Sequence, residues 1–311
     1  MELRQCRYFV AVVDARSITA AARQLNVVQS AVSHQIASLE KDLHTPLLER
    51  TRSGVRPTAA GRLLYVHALA ALKHEQAARE GIRALDHEVS GTVALGLPSS
   101  TAAVLAVPLM KEVRARLPQV TLSVIEGLGS VLAADLARGA LDCSVLFEGE
   151  PLPGFVQEPL VRERLHFVSL LPSARAVMAG QTAITLAEAV RWPLILPPRA
   201  NSVRELVDRE AVRRDLKFTV VGELSGVQTL RDAVEAGIGS TVMMAANAAA
   251  LSRRKGAVVL PIRSPAIERT ACLVQSEHFP ATPAGKALRE LLPAVVRELV
   301  ASGRWDGARL A

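Results

Sequence analysis

The sequence predicts an α/β protein in three parts: a small helical unit ending in a short basic hairpin, one long helix, and a larger α/β region with room for two lobes. Three observations carry this. Apolar residues at spacings of three and four mark several short helices before Pro57. A single helical pattern then runs from Thr58 to about His87, long for a globular helix. From Ser90-Gly91 onward strand and helix patterns alternate, which is the signature of a parallel α/β sheet. At 311 residues the chain exceeds one ordinary domain. Half of it is apolar and 22% is charged, so sizeable cores form and global disorder is excluded.

Leu3, Phe9, Val10 and Val13, with Tyr8 beside them, give a first helix that packs beneath the next two. Ser17 caps a second helix carrying Ala20, Ala21, Ala22 and Leu25, small side chains that let another helix cross closely. Asn26 tolerates the left-handed backbone that a tight turn needs. The third helix sets Val28, Val32, Ile36 and Leu39 on one buried stripe, and Gln29, Ser30, Ser33, His34 and Gln35 on the other face. An outer face of amide, hydroxyl and imidazole, in place of Lys and Glu, suits the donors and acceptors on base edges in a major groove. The N-terminal turns of such a helix are the ones that meet bases. Arg50, Arg52 and Arg56 surround Ser53-Gly54, a turn between two short extended segments, and read as a wing whose guanidiniums meet phosphates. Together these parts form a winged helix-turn-helix. The spacing alone also fits a small helical bundle with a polar face.

Thr58 caps the long helix, whose apolar stripe runs through Leu63, Leu64, Val66, Leu69, Leu72, Ala77, Ile82 and Leu85. No second long helix lies beside it in sequence. Either its own domain covers the stripe, or the same helix of another chain does, and a two-fold dimer would present two recognition helices to one palindromic site.

In the α/β region Val93, Leu95 and Leu97 form a strand, Pro98-Ser99-Ser100-Thr101 a turn, and Ala102 to Leu117 a helix. Val120 to Ile125 is extended, Gly127-Leu128-Gly129-Ser130 a loop, Val131 to Arg138 a helix and Leu141 to Phe147 a strand. A second run places strands near Leu165 to Leu171, Leu194 to Leu196, Phe218 to Glu223 and Thr241 to Met244, with helices near Val203 to Arg214 and Val227 to Ala236. An extended segment from Arg269 to Ser276 and a final helix from Thr282 return to the first run. Ligands of open α/β sheets gather where strands end and helix N-termini offer free N–H groups. Ser99, Ser100 and Thr101, then Gly129 and Ser130, Asn201 and Ser202, and Gln228 and Thr229 occupy such ends. As a set they suit a small anion, typically a carboxylate; singly, each also reads as an ordinary helix cap. Arg199, Arg204 and His166 are candidate countercharges that read equally as solvated or structural residues.

The run AARQLNVVQSAVSHQIASLEKDL followed by LLERTRSGVRPTAAG resembles the N-terminal domain of LysR-type transcriptional regulators, and nearly the whole chain fits that family in length and order of parts. LLERTRSGVRPTAAGRLLYVHA and GTVALGLPSSTAAVLAVPLM are most similar to its nitrogen-assimilation-control branch. The resemblance implies a DNA-binding domain at 1–58, a dimerising linker at 59–88 and an effector domain at 89–311, related in fold to periplasmic solute-binding proteins. Lobe I would hold 89–161 and 266–311, lobe II 162–265. It further implies effector contacts at Ser99, Ser100 and Thr101, DNA contacts from Gln29, Ser30, Ser33 and Arg50, dimers pairing into a homotetramer on bent promoter DNA, and RNA polymerase as a further partner. His34 is a variable position in the family, and some relatives work without a small ligand. One departure stands out: many members carry Ser or Thr where this chain has Val28, and a missing cap costs on the order of 1 kcal/mol.

A net charge of +7 favours polyanion contact, though the basic residues spread along the chain. Aromatics at 3% argue against a single-strand binder built on stacking. The opening MELRQCRYFVAVVD lacks a signal-peptide core, and no window reaches the roughly 20 apolar residues of a membrane span. A bacterial-type cytoplasm is the expected compartment. Cys6, Cys143 and Cys272 fit neither a disulfide framework nor a zinc site, and Cys143 reads as a small core residue. G-x-G-x-x-G, phosphate-loop, H-E-x-x-H and G-x-S-x-G motifs are absent, so no catalytic residue, metal or cofactor is expected. An α/β enzyme or an exported solute-binding protein are the rival readings.

Overall fold

The computed structural model describes residues 1–51, 54–86, 88–149 and 153–311. They divide into two compact units, residues 1–88 with 277–283, and residues 89–276 with 284–311.

The first unit contains α1 (Leu3–Ala15), α2 (Ile18–Gln24), α3 (Gln29–Asp42), the hairpin β1 (Leu48–Thr51) and β2 (Gly54–Pro57), and α4 (Ala59–Asp86). The Ser17 Oγ accepts the Ala20 N–H at 3.3 Å and caps α2. Asn26 sits at φ 54°, the left-handed turn between α2 and α3. Phe9, Val12, Ala21, Val32, Ile36 and Leu39 share one core. Val28 does not join it. As the residue before α3 begins, it has extended backbone (φ −74°, ψ 145°) and is 68% exposed, so helical spacing does not carry its side chain to the buried side.

Two close approaches seat the hairpin. Gly54, at φ 115°, lies where a Cβ would come within 2.5 Å of the Arg16 carbonyl oxygen, and the adjacent Val55 N–H donates to that oxygen at 2.9 Å. Gly61 lies where a Cβ would sit 2.0 Å from the Leu47 carbonyl oxygen. The Thr58 Oγ1 accepts the Gly61 N–H at 3.0 Å at the start of α4. Leu64, Tyr65, Ala68, Leu69 and Leu72 of α4 pack on the core of the unit. Arg7–Glu75 at 2.9 Å and the Tyr65 hydroxyl donating to Asp14 at 2.6 Å tie α1 to the same helix. Leu63, Val66, Ile82 and Leu85, on other faces, remain exposed. The stripe read from the sequence is therefore two surfaces, one covered by the unit itself and one not.

The second unit runs β3 (Gly91–Leu97), α5 (Ser99–Arg116), β4 (Val120–Glu126), α6 (Gly129–Ala137), β5 (Cys143–Phe147), β6 (Phe155–Ser169), α7 (Pro172–Val177), β7 (Ile184–Thr185), α8 (Leu186–Ala189) and β8 (Leu194–Leu196). It continues with α9 (Ser202–Arg213), β9 (Val220–Glu223), α10 (Val227–Glu235), β10 (Thr241–Met244), α11 (Ala245–Ser252), β11 (Val258–Arg263), β12 (Glu268–Ser276), α12 (Pro283–Ala301) and β13 (Ala308–Leu310). The main sheet is mixed, which corrects the all-parallel expectation. β3 pairs parallel with β4 and β5, but β12 lies antiparallel between β5 and β6. β6 pairs antiparallel with β12 along its first part, and with β10 and β11 along its last. Val161 on β6 belongs to one apolar core, with β3, α5 and α12, while Leu165 and Phe167 belong to another, with α9 and β10. Two lobes thus share one continuous strand. β8 and β9 form a short parallel pair in the second.

α5 and α6 also begin earlier than the sequence suggests, at Ser99 and Gly129. Serine and glycine signal turns and helix starts alike. Here the expected turns are first helical turns.

Candidate functional site

The first surface is the start of α3. Gln29, Ser30 and His34 are exposed and Ser33 is half-buried, all within its first two turns. Among the described residues no side chain caps this helix and no acidic residue lies in its first turn. The Ala31 N–H turns back to the Val28 carbonyl at 3.1 Å, and the Gln29 and Ser30 N–H groups, with the partial positive charge they carry, stay open. The Thr19 hydroxyl of α2 donates to the Gln29 Oε1 at 3.2 Å. That contact steadies the amide and leaves its NH₂ as a donor. Thr19 is a residue that the sequence reading missed, since nothing in its spacing sets it apart. Arg56 on β2 is exposed. Arg52, the side chain of Arg50 and the turn residue Ser53 lie outside the described residues.

The second is a cavity of about 660 Å³ between the two lobes of the α/β unit. Ser99 and Ser100 of α5, Gly129 and Ser130 of α6, and Asn201 and Ser202 at the start of α9 line it, so three helix N-termini converge there. The Asn201 Oδ1 also accepts the Val203 N–H at 2.9 Å, so it caps α9 as well as facing the cavity. Three other expected residues do not line it. Thr101 is turned a third of a helical turn from Ser100 into the lobe core, fully buried, and among the described residues its hydroxyl has no partner. Gln228 and Thr229 are exposed on α10, where the amide of Gln228 donates to Asp232 at 2.8 Å and the hydroxyl of Thr229 to the Gly226 carbonyl at 3.0 Å. Ser225 and Gly226 face the cavity in their place.

The residue at the centre of this cleft is Arg269, which the sequence reading passed over. Its Nε donates to the Glu163 Oε2 at 2.9 Å, its Nη2 to the Ser100 Oγ at 2.8 Å and its Nη1 to the Ser202 Oγ at 2.7 Å. The guanidinium stacks 3.5 Å from the Phe147 ring centroid. Both Arg269 and Glu163 have side chains only 3% exposed. The Trp305 Nε1 donates to the other oxygen of Glu163 at 3.0 Å, so the carboxylate is held from two sides. Burial pushes the guanidinium of Arg269 below its ordinary value, while the charge of Glu163 opposes the shift. A signal existed in the sequence: Arg269 shares its strand face with Ala271 and Leu273, and Glu163 shares its face with Val161 and Leu165. The two are direct cross-strand partners.

The other cations that the sequence singled out lie elsewhere. Arg204 is buried against Asp208 at 2.8 Å and Glu223 at 3.0 Å and stacks on Phe218, a structural arrangement within the second lobe. His166 lies on β6, its Nδ1 at 3.4 Å from the Arg164 carbonyl, and Arg199 is exposed. Neither lines the cavity. Cys143 is buried on β5, and its thiol is pushed up to about 12 by burial first and by Asp142 second. Such a thiol stays protonated and unreactive.

Two family models match the chain. One, described as LysR substrate binding domain, covers residues 86–297; the other, described as bacterial regulatory helix-turn-helix protein, lysR family, covers residues 3–62. The nitrogen assimilation regulatory protein Nac of Klebsiella aerogenes is 33% identical over 297 residues, 95% of this chain and 95% of its own. Its counterpart in Escherichia coli is 32% identical over 308 residues, 98% of this chain and 99% of its own. Among solved structures, a full-length OxyR from Pseudomonas aeruginosa superposes with a TM-score of 0.76 at 23% identity, over 96% of this chain and 95% of that one, a likeness of fold.

Proposed function

This chain belongs to the LysR family of DNA-binding transcriptional regulators, which are not enzymes, and from that premise we propose that α3 reads a promoter operator while the inter-lobe cleft binds a small carboxylate-bearing effector. The observation that carries the reading is the open start of α3: an exposed run of amide, hydroxyl and imidazole beside uncapped N–H groups. Gln29, Ser30, Ser33 and His34 meet base edges, and Arg50, Arg52 and Arg56 of the wing meet phosphates. Residues 1–58, 59–88 and 89–311 serve as reader, linker and sensor, with lobe I at 89–161 and 266–311 and lobe II at 162–265. The uncovered face of α4 supports pairing with a second copy, and two such dimers form a tetramer on bent DNA in the cytoplasm, within reach of RNA polymerase. The effector acts only through its different affinity for the two arrangements of the readers.

The test is binding of the purified protein to the DNA upstream of its own gene, against a shuffled fragment, across a salt series. A preference that persists as salt rises supports specific readout; equal affinities that collapse together would reduce the interaction to charge. Gln29→Ala should cost about 1–3 kcal/mol on the preferred fragment and much less on the shuffled one. Equal losses on both would remove Gln29 from base reading.

A further inference from the structure

We propose that the cleft is built for a small zwitterion, a ligand with a carboxylate at one end and an ammonium at the other, as in an α-amino acid. This rests on the cleft being the effector site and narrows what enters it.

The cation at its centre is already matched. Arg269 and Glu163 lie 2.8 Å apart with both side chains almost fully buried, so the pair is neutral toward an incoming anion. What Arg269 does for a ligand is indirect. The Ser100 and Ser202 oxygens accept its N–H groups, so each hydroxyl proton is left to point elsewhere. One of these hydroxyls comes from each lobe, and each stands in the first turn of α5 or α9, beside helix N–H groups that have no intrahelical acceptor. The Asn247 Nδ2 holds the Ser100 carbonyl at 3.1 Å, which fixes the α5 start from the second lobe. Hydroxyl donors and helix ends worth roughly half a charge each make a carboxylate pole without a free cation.

The remaining charges are of the wrong sign for a plain anion. Glu148, Glu205 and Arg209 line the same cavity. Among the described residues neither glutamate side chain has a hydrogen-bond or ion-pair partner. With the Arg269–Glu163 pair neutral, one cation and two carboxylates remain, and a ligand carrying only negative charge would add a third carboxylate to them. Glu205 lies three residues along α9 from Ser202, so the two are neighbours on the helix surface. An ammonium on the ligand answers that carboxylate while the ligand's own carboxylate faces the serine hydroxyls. Arg269 is thus a positioning residue, and Glu148 and Glu205 set specificity.

The experiment is calorimetric titration of the full-length protein with the twenty standard L-amino acids, then with the 2-oxo acid and the primary amine of the same skeleton for each that binds. At least one amino acid should bind, with both analogues weaker by about tenfold or more. E148Q and E205Q should weaken the amino acid by a similar factor and leave the 2-oxo acid unchanged or tighter. A 2-oxo acid that binds as well as the amino acid, or variants without effect on amino-acid binding, would overturn the zwitterion while a carboxylate effector could still stand; an amine that binds as well would overturn both. Failure of every amino acid to bind, with specific DNA binding intact, would overturn the zwitterion; the 2-oxo acids titrated next would keep the cleft as a carboxylate site if one binds and remove that reading if none does.

Discussion

Arg269 on β12 and Glu163 on β6 face each other across the sheet with both side chains almost fully buried, so each charge depends on the other. The two lie 106 residues apart in the chain, and only the sheet brings them together. Arg269→Ala leaves the Glu163 carboxylate buried without its cation, and the expected loss is about 3–5 kcal/mol in urea denaturation. Changing both residues to apolar ones should recover most of that loss, whereas equal instability of the single and double variants would mean that packing and not charge dominates. His166 offers a pH dependence. Burial is the largest cause holding its imidazole below the ordinary 6.5, against the raising effects of the Arg164 carbonyl and Asp306. The unfolded chain therefore binds this proton more readily than the folded one. The stability that His166 contributes is complete above about pH 6.5 and is lost as pH falls through the interval below it. The stability gap between wild type and His166→Gln should shift against the wild type from pH 7.5 to pH 5.5, and a constant gap would contradict the assignment.

At the scale of elements, the legible parts were those fixed by local chemistry. Ser17, Asn26 and Thr58 cap or turn where their side chains say they should. Sheet partners were not legible, because period-two alternation shows which face of a strand is buried but not which strand lies beside it. β6 had to be seen whole to be recognised as the strand that serves both lobes. Val28 is a place where the local rule is broken, and it can be mended. Its backbone has the extended conformation of an N-cap and its side chain is largely in solvent, so Val28→Ser loses little packing and supplies the missing acceptor. The expected gain is about 1 kcal/mol, read as a higher urea midpoint at unchanged slope. No gain would show that the first N–H groups of α3 are already satisfied by solvent at no net cost.

For the molecule as a whole, the uncovered face of α4 matters most. A helix of 28 residues extends roughly 42 Å, and only part of its surface is used by the unit it starts from. Ile82 and Leu85, 67% and 83% exposed, sit in its last turns, a costly placement in water unless a second copy covers them. Joining two chains there also joins two α3 helices, and specific affinity for a two-half-site operator depends on both acting at once. Ile82→Glu combined with Leu85→Glu should therefore shift the protein toward monomer in sedimentation equilibrium and reduce affinity for the preferred DNA by about a hundredfold or more. Binding to shuffled DNA at low salt should change far less, since phosphate contacts do not require the second copy. The cores of both units contain neither residue, so their unfolding should be preserved. A variant that stays dimeric would move self-association away from α4. A monomer that kept full affinity would instead separate operator reading from dimerisation, because one α3 would then be sufficient.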